Sequence, residues 1–342
     1  MEVVVTKNKL DTAFLFLLIV LSSYLVGDRD VSVGTDTINY TNTFISGAAC
    51  KCIGDSELGF ELFLYPMYVL GMGPTLIFFI ISLTLYSLMY LSALKVAGVA
   101  VSNFNNERAQ LKSAFLIFGL MVMVPFVIQL HVNAIRQGLS LLCLLLSFLY
   151  LLEDRKRLSV SLLILAIGFH YSTILILPFY VVFFYTRIFF GKSFYLAVFI
   201  FVILSILYLL GFSELVVKRL SEFFYIPVWE VVSSYASHAE YKRGVRYDFY
   251  AFSFVLVVPI FLYALKNVKA RVYLVFVLIS MIPFLLLGWG AYSNRYVLNS
   301  WIYAFFGLFL YVVIAFPVVK KFYWVAVLIG LFVNVYRGTV SV

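Results

Sequence analysis

Long apolar runs, not alternating positions, organise this chain. They cover Thr12–Val26, Pro74–Val96, Ser113–His131, Ala134–Leu152, Phe194–Leu210, Tyr250–Leu265, Val272–Gly288, Val297–Phe316 and Phe322–Val335. Leu158–Tyr185 is a further run, interrupted around His170 by Gly168, Ser172 and Thr173. A membrane helix takes roughly 20 mostly apolar residues, so the pattern predicts an all-α polytopic membrane protein of about 10–11 segments. A membrane barrel would alternate apolar and polar residues, and these runs do not. Residues 1–342 read as a single polytopic domain, with polar intervals at 28–73 and 212–248 expected as two extracytoplasmic loops. Within the first loop, Phe60–Leu70 is an apolar run containing Pro66 and suits an interfacial half-helix.

Composition agrees. Of 342 residues, 64% are hydrophobic and 12% charged, with a mean hydropathy of +1.05, which a soluble domain of this length does not need. The net charge of +9 comes mostly from loop Lys and Arg. No basic face interleaved with aromatics supports nucleic-acid binding. Lys7 and Lys9 precede the first run, but no small-residue cleavage site follows, so the first span is expected as a retained helix. Cys143 falls in a span. Cys50 and Cys52 form a C-x-C without a companion His and read as structural or incidental.

Basic residues concentrate on the cytoplasmic side of membrane proteins. The overall total does not orient this chain. The short clusters Arg155–Arg157, Lys266–Arg271 and Lys320–Lys321 share one side if Leu158–Tyr185 is two short segments meeting near His170. That arrangement also puts residues 28–73 and 212–248 on one outer face, with Arg136, His170 and Arg295 near it. A single crossing there would invert everything that follows.

Arg136 is the most informative residue. A charge at membrane depth costs roughly 2.5–3.5 kcal/mol on insertion scales and normally faces a bundle interior or a water-filled cavity. Gln129, Asn133, Arg136 and Ser140 recur at helical spacing, so a continuous helix would carry one polar stripe. A snorkelling arginine at a helix end is the competing reading, and His131 and Asn133 hint at a turn. His170 is readable as a satisfied core histidine or as a donor to a diphosphate or sugar. Arg295 opens a span with Tyr292, Asn299 and Tyr303 on its face. Arginines are suited to phosphate oxygens. No Asp-x-Asp or HExxH cluster suggests a bound metal, and no cofactor is expected. Glu57 and Asp36 are the loop acids best placed to take a proton. The second loop offers Tyr235, Tyr241 and Arg243, residue types that suit sugars and phosphates and equally suit anionic headgroups.

These residues together give a family resemblance. Asp36-Thr-Ile-Asn-Tyr40 resembles the early Asp-x-x-x-Tyr of the EpsG family of polysaccharide polymerases, relatives of the O-antigen polymerases called Wzy. Glu57-Leu-Gly-Phe-Glu61 resembles its Glu-Pro-Gly-Phe/Tyr-Glu segment, with Leu58 where Pro is usual. Ile135-Arg-Gln-Gly138 is similar to its Arg-Gln-x-x-Ala helix, Gly168-Phe-His-Tyr-Ser172 to its Phe-His-x-Ser motif, and Ser293-Asn-Arg295 to a late arginine.

The resemblance implies a bacterial inner-membrane glycosyltransferase. Such an enzyme joins undecaprenyl-diphosphate-linked oligosaccharide repeat units at the periplasmic face, in contact with membrane lipid and with a chain-length regulator protein as partner. On that basis Glu57, Asp36, Arg136 and His170 are expected to be catalytic. Arg295, Gln137, Tyr40, Tyr235, Tyr241 and Arg243 are expected to bind substrate. A flippase for the same lipid-linked units, or an O-antigen ligase, would also need a cationic cavity. Transporters of this kind often carry repeated halves, and none is visible here.

Overall fold

The apolar runs become helices, and no strand occurs among the described residues. The computed structural model describes residues 2–34, 36–46, 57–101, 107–182, 193–225, 229–230, 232–233, 244–290 and 293–340. In chain order the helices are α1 (Glu2–Gly27), α2 (Thr37–Ser46), α3 (Leu58–Val69), α4 (Pro74–Val101), α5 (Glu107–Met123), α6 (Pro125–Val132), α7 (Ile135–Leu152), α8 (Lys156–Phe169), α9 (Leu177–Tyr180), α10 (Ser193–Leu209), α11 (Ser213–Phe224), α12 (Tyr247–Lys266), α13 (Val268–Leu287), α14 (Ser293–Ala315) and α15 (Tyr323–Thr339). Among them, seven helical segments are long and apolar enough to cross a membrane, or nine if two bent pairs each count as one span. The protein is therefore an all-α polytopic membrane protein. The further segments expected from Leu158–Tyr185 are shorter pieces among the described residues. These are α8, a 3₁₀ turn at Tyr171–Leu175, and α9.

Prolines and polar residues decide where the runs break. The run Ser113–His131 bends by 76° between α5 and α6. Pro125 has no N–H to give to the preceding turn and instead opens the new helix. The stripe of Gln129, Asn133, Arg136 and Ser140 is not continuous, as the expectation of one helix would require. Asn133 and Ala134 separate α6 from α7, and Asn133 Nδ2 turns back to Gln129 Oε1 at 2.5 Å. The expected break at His170 is present. α8 ends at Phe169, and His170 is extended, with φ −158° and ψ 116°.

The chain divides into two compact units, residues 1–173 with 312–342, and residues 174–311. In the first, α7 is the central helix. It packs on α8 and α4, and 78% of its spanning window is buried. Arg136 near its start is half-buried. α4 also packs on α1 and α5, and α15 lies along α5. Tyr86 Oη donates to Asn334 Oδ1 at 2.6 Å, and Asn334 Nδ2 donates to Val122 O at 3.2 Å, so one buried amide ties α4, α5 and α15. In the second unit α13 is central, with 83% of its window buried, and α9, α10, α11 and α12 pack on it.

Backbone closeness sets the α5–α15 contact. A Cβ on Gly119 would lie 2.5 Å from the backbone nitrogen of Val327, and one on Gly330 would strike Gly119 O. Small residues let membrane helices approach this far. Gly119→Leu is expected to destabilise by about 1–3 kcal/mol, the usual cost of overpacking a core. The thermal unfolding midpoint in detergent checks this, and an unchanged midpoint would show that the helices can separate freely.

Candidate functional site

Five chain segments meet at one end of the first unit: the residues after α1, the starts of α2, α3 and α7, and the end of α8. Glu57 immediately precedes α3 and is 7% exposed. Each of its oxygens has a partner. Oε2 accepts from Arg136 Nη1. Oε1 lies 2.7 Å from His170 Nδ1. An ionised carboxylate only accepts hydrogen bonds, so His170 Nδ1 carries the proton in this contact, and a neutral ring presents its lone pair at Nε2. Arg136 Nε donates to Tyr40 Oη at 3.3 Å.

Local structure explains why these groups meet. α3 crosses α8 at two glycines, with a Cβ on Gly59 only 2.6 Å from the carbonyl carbon of Gly168. The start of α3 therefore sits against the end of α8, and Glu57 reaches His170. The Tyr171 hydroxyl accepts from Leu58 N at 3.5 Å. Ser140 Oγ donates to Ala166 O at 2.6 Å and lies 2.5 Å from Thr173 Oγ1, pinning α7 to both sides of the His170 break. On the other side, Tyr40 rests edge-on against Phe60 and face-on against Phe44, which holds α2 over α3.

Electrostatics follow from this packing. Burial by itself would raise the Glu57 carboxyl, but the His170 hydrogen bond and the Arg136 charge outweigh it and hold the group below its ordinary 4.5. Glu57 is therefore ionised at neutral pH. Burial raises the Tyr40 phenol, so it is neutral there. Side-chain exposure rises from 8% at Glu57 to 22% at His170 and 33% at Arg136. The carboxylate is the floor of the cluster, and the imidazole and guanidinium form its open side.

Of the expected site residues, Glu57, Arg136, His170 and Tyr40 thus come together. Asp36 lies just before α2, one turn before Tyr40, and its charge reaches the Tyr40 hydroxyl. Gln137 is buried beside Arg136 at 4% exposure. Arg295 belongs to the second unit, exposed in the first turn of α14. Tyr235, Tyr241, Arg243, Cys50 and Cys52 lie outside the described residues. Arg29 carries no motif in the sequence, yet it is 8% exposed beside the start of α2. Among the described residues, no group of three or more His, Cys, Asp or Glu gathers to hold a metal ion.

The fold and the cluster define a multi-pass membrane protein with a carboxylate, an imidazole and a guanidinium joined at one end of a helical unit. The sequence matches the EpsG family over residues 12–341, nearly the whole chain, and the protein belongs to that family. Membership supports a glycosyltransferase-like polymerase of exopolysaccharide or O-antigen type. Neither the curated proteins nor the solved structures give a match.

Proposed function

We propose that this protein joins lipid-linked oligosaccharide repeat units at the outer face of a bacterial inner membrane, with His170 as general base. The observation that carries this reading is the 2.7 Å contact between Glu57 Oε1 and His170 Nδ1. A carboxylate that holds one ring nitrogen fixes the tautomer and orientation of the other, which is how a histidine is made ready to accept a proton. Both Glu57 oxygens are already engaged, so Glu57 serves as the positioning residue, and the proton goes to His170 Nε2.

In the reaction the hydroxyl of the acceptor unit loses its proton to Nε2. The freed oxygen bonds to the anomeric carbon of the donor glycan. The bond from that carbon to the phosphate oxygen breaks, and its electron pair leaves on the polyprenyl diphosphate. Arg136 keeps N–H groups beyond those given to Glu57 and Tyr40, and its side chain is a third exposed, so these can meet a phosphate. Positioned donors of this kind stabilise charge that grows in the transition state.

The test is reconstitution in liposomes supplied with lipid-linked units on the face that bears the site. The wild type is expected to give a ladder of joined units and His170→Ala none. Translocation without joining would make the protein a flippase. Joining that requires a lipid A core acceptor would make it a ligase.

A further inference from the structure

The Arg136 charge is matched by Glu57, but the Arg29 charge is matched by nothing described. Arg29 Nη1 donates to Val26 O at 2.9 Å and Nε to Thr37 Oγ1 at 3.3 Å, while Nη2 is buried and has no hydrogen-bond partner. No carboxylate among the described residues pairs with it. Asp30 instead accepts from Ser32 N at 2.8 Å. The guanidinium lies 4.0 Å from the centre of the Phe78 ring, a contact that compensates only part of the lost hydration. Burial alone pushes Arg29 down to about 10, so it remains a cation at neutral pH.

A second orphan stands behind it. His131 is fully buried against the Tyr86 ring at 4.3 Å, and neither ring nitrogen has a partner. The two residues flank one short bridge. Thr37 Oγ1 accepts from Arg29 and donates to Val132 O at 3.3 Å, and Val132 follows His131. The Arg29 charge reaches the His131 ring. A buried cation and a buried imidazole with unused polar atoms are costly as they stand. A bound oxyanion at the Arg29 guanidinium supplies the missing negative charge and an acceptor for Nη2.

We propose that Arg29, backed by His131, binds a phosphate oxyanion. Resting on the polymerase reading, this is the diphosphate of the lipid carrier; the same chemistry would be met by the headgroup phosphate of a bilayer lipid. Thr37 at Arg29 and Tyr40 at Arg136 are one turn apart on α2, about 4.5 Å of rise. The oxyanion therefore adjoins the Glu57–His170–Arg136 cluster, where a leaving phosphate has to be.

The test uses the full chain in maltoside micelles. Farnesyl diphosphate and phosphatidylglycerol are titrated separately, with farnesol as the uncharged control, and the readouts are affinity and thermal midpoint. Arg29→Met is expected to weaken binding of the phosphate probe by about tenfold or more, and Arg29→Lys to retain part of it. Without ligand, Arg29→Met is expected to melt higher than wild type, because an uncompensated buried charge is gone. An Arg29-dependent response to farnesyl diphosphate assigns the carrier. A response to phosphatidylglycerol alone, also lost in Arg29→Met, assigns a structural lipid. Both uphold the oxyanion site. A wild type that binds neither probe overturns it. So does an Arg29→Met protein that binds both as tightly as wild type, which would leave an arginine satisfied by water or a carboxylate. Should Arg29→Met fail to fold, His131→Phe and Arg29→Lys decide the matter, and undiminished affinity in both overturns the site. Binding is read apart from catalysis. Diphosphate binding through Arg29 without joining of units defeats only the polymerase reading, and polymerisation at the wild-type rate by Arg29→Met defeats only the role of this site in the reaction.

Discussion

Glu57→Gln is expected to abolish polymer while the protein still inserts and accumulates in the membrane. The amide keeps the shape of the side chain but not its charge. His170 Nδ1 loses the anion that fixes its proton, so Nε2 is no longer held as the basic nitrogen. Arg136 keeps only Tyr40 among the contacts described above, and its guanidinium is free to swing from the phosphate side. General-base catalysis contributes about 10²–10⁴-fold in rate, and loss of this order removes the ladder of chain lengths in cells and the product in liposomes. A normal ladder from Glu57→Gln cells would sink the assignment.

The same variant carries a stability signature. Glu57 titrates below its ordinary 4.5 in the folded protein, so its contribution is fully present above that value and is lost as the pH falls through the depressed one. Wild type should therefore melt above Glu57→Gln at pH 7, and the gap should close under acid.

Gly59→Val is expected to be as damaging by a different route. The added carbons would meet the backbone of Gly168 at 2.6–2.8 Å, and backbone cannot rotate aside. α3 has to move off α8, which draws Glu57 away from His170 without altering either residue. Activity should fall to the level of Glu57→Gln, and the overpacked contact should also lower stability by about 1–3 kcal/mol. Leu58→Pro is the matched control. Leu58 is 52% exposed at the first position of α3, where proline is well tolerated, and the change removes only the long 3.5 Å bond from Leu58 N to Tyr171, so activity should survive. If Gly59→Val retains full activity, the α3–α8 crossing is not what brings the carboxylate to the imidazole.

Much of this was legible in the chain, because membrane burial leaves a strong one-dimensional signal. The apolar runs predicted the spans, and Gly168, Ser172 and Thr173 marked the break at His170. Arg136 announced itself as a charge where lipid forbids one. The run Ser113–His131 misled, since apolar composition says little about direction, and Pro125 turns the chain inside it. Motif resemblance drew attention to Glu57, Arg136 and His170, but not to their joint geometry. Glu57 lies 79 residues from Arg136 and 113 from His170, and only the crossing of α3 with α8 brings them together. Arg29 gave no signal at all. Flanked by Asp28 and Asp30, it reads as an ordinary solvated loop charge, and it is packed against Phe78 and Thr37 from elsewhere in the chain.

The way α15 completes the first unit bears on how the protein is made. At Gly119, α5 presents a groove that admits only the bare backbone around Gly330, and the helix that carries Gly330 is synthesised some two hundred residues later. During that interval the ribosome and translocon release the whole of residues 174–311. Assembly of the half that holds Glu57, Arg136 and His170 is therefore delayed until α15 emerges. A nascent chain stalled before that helix would expose an unfilled seam, a ready handle for membrane quality control.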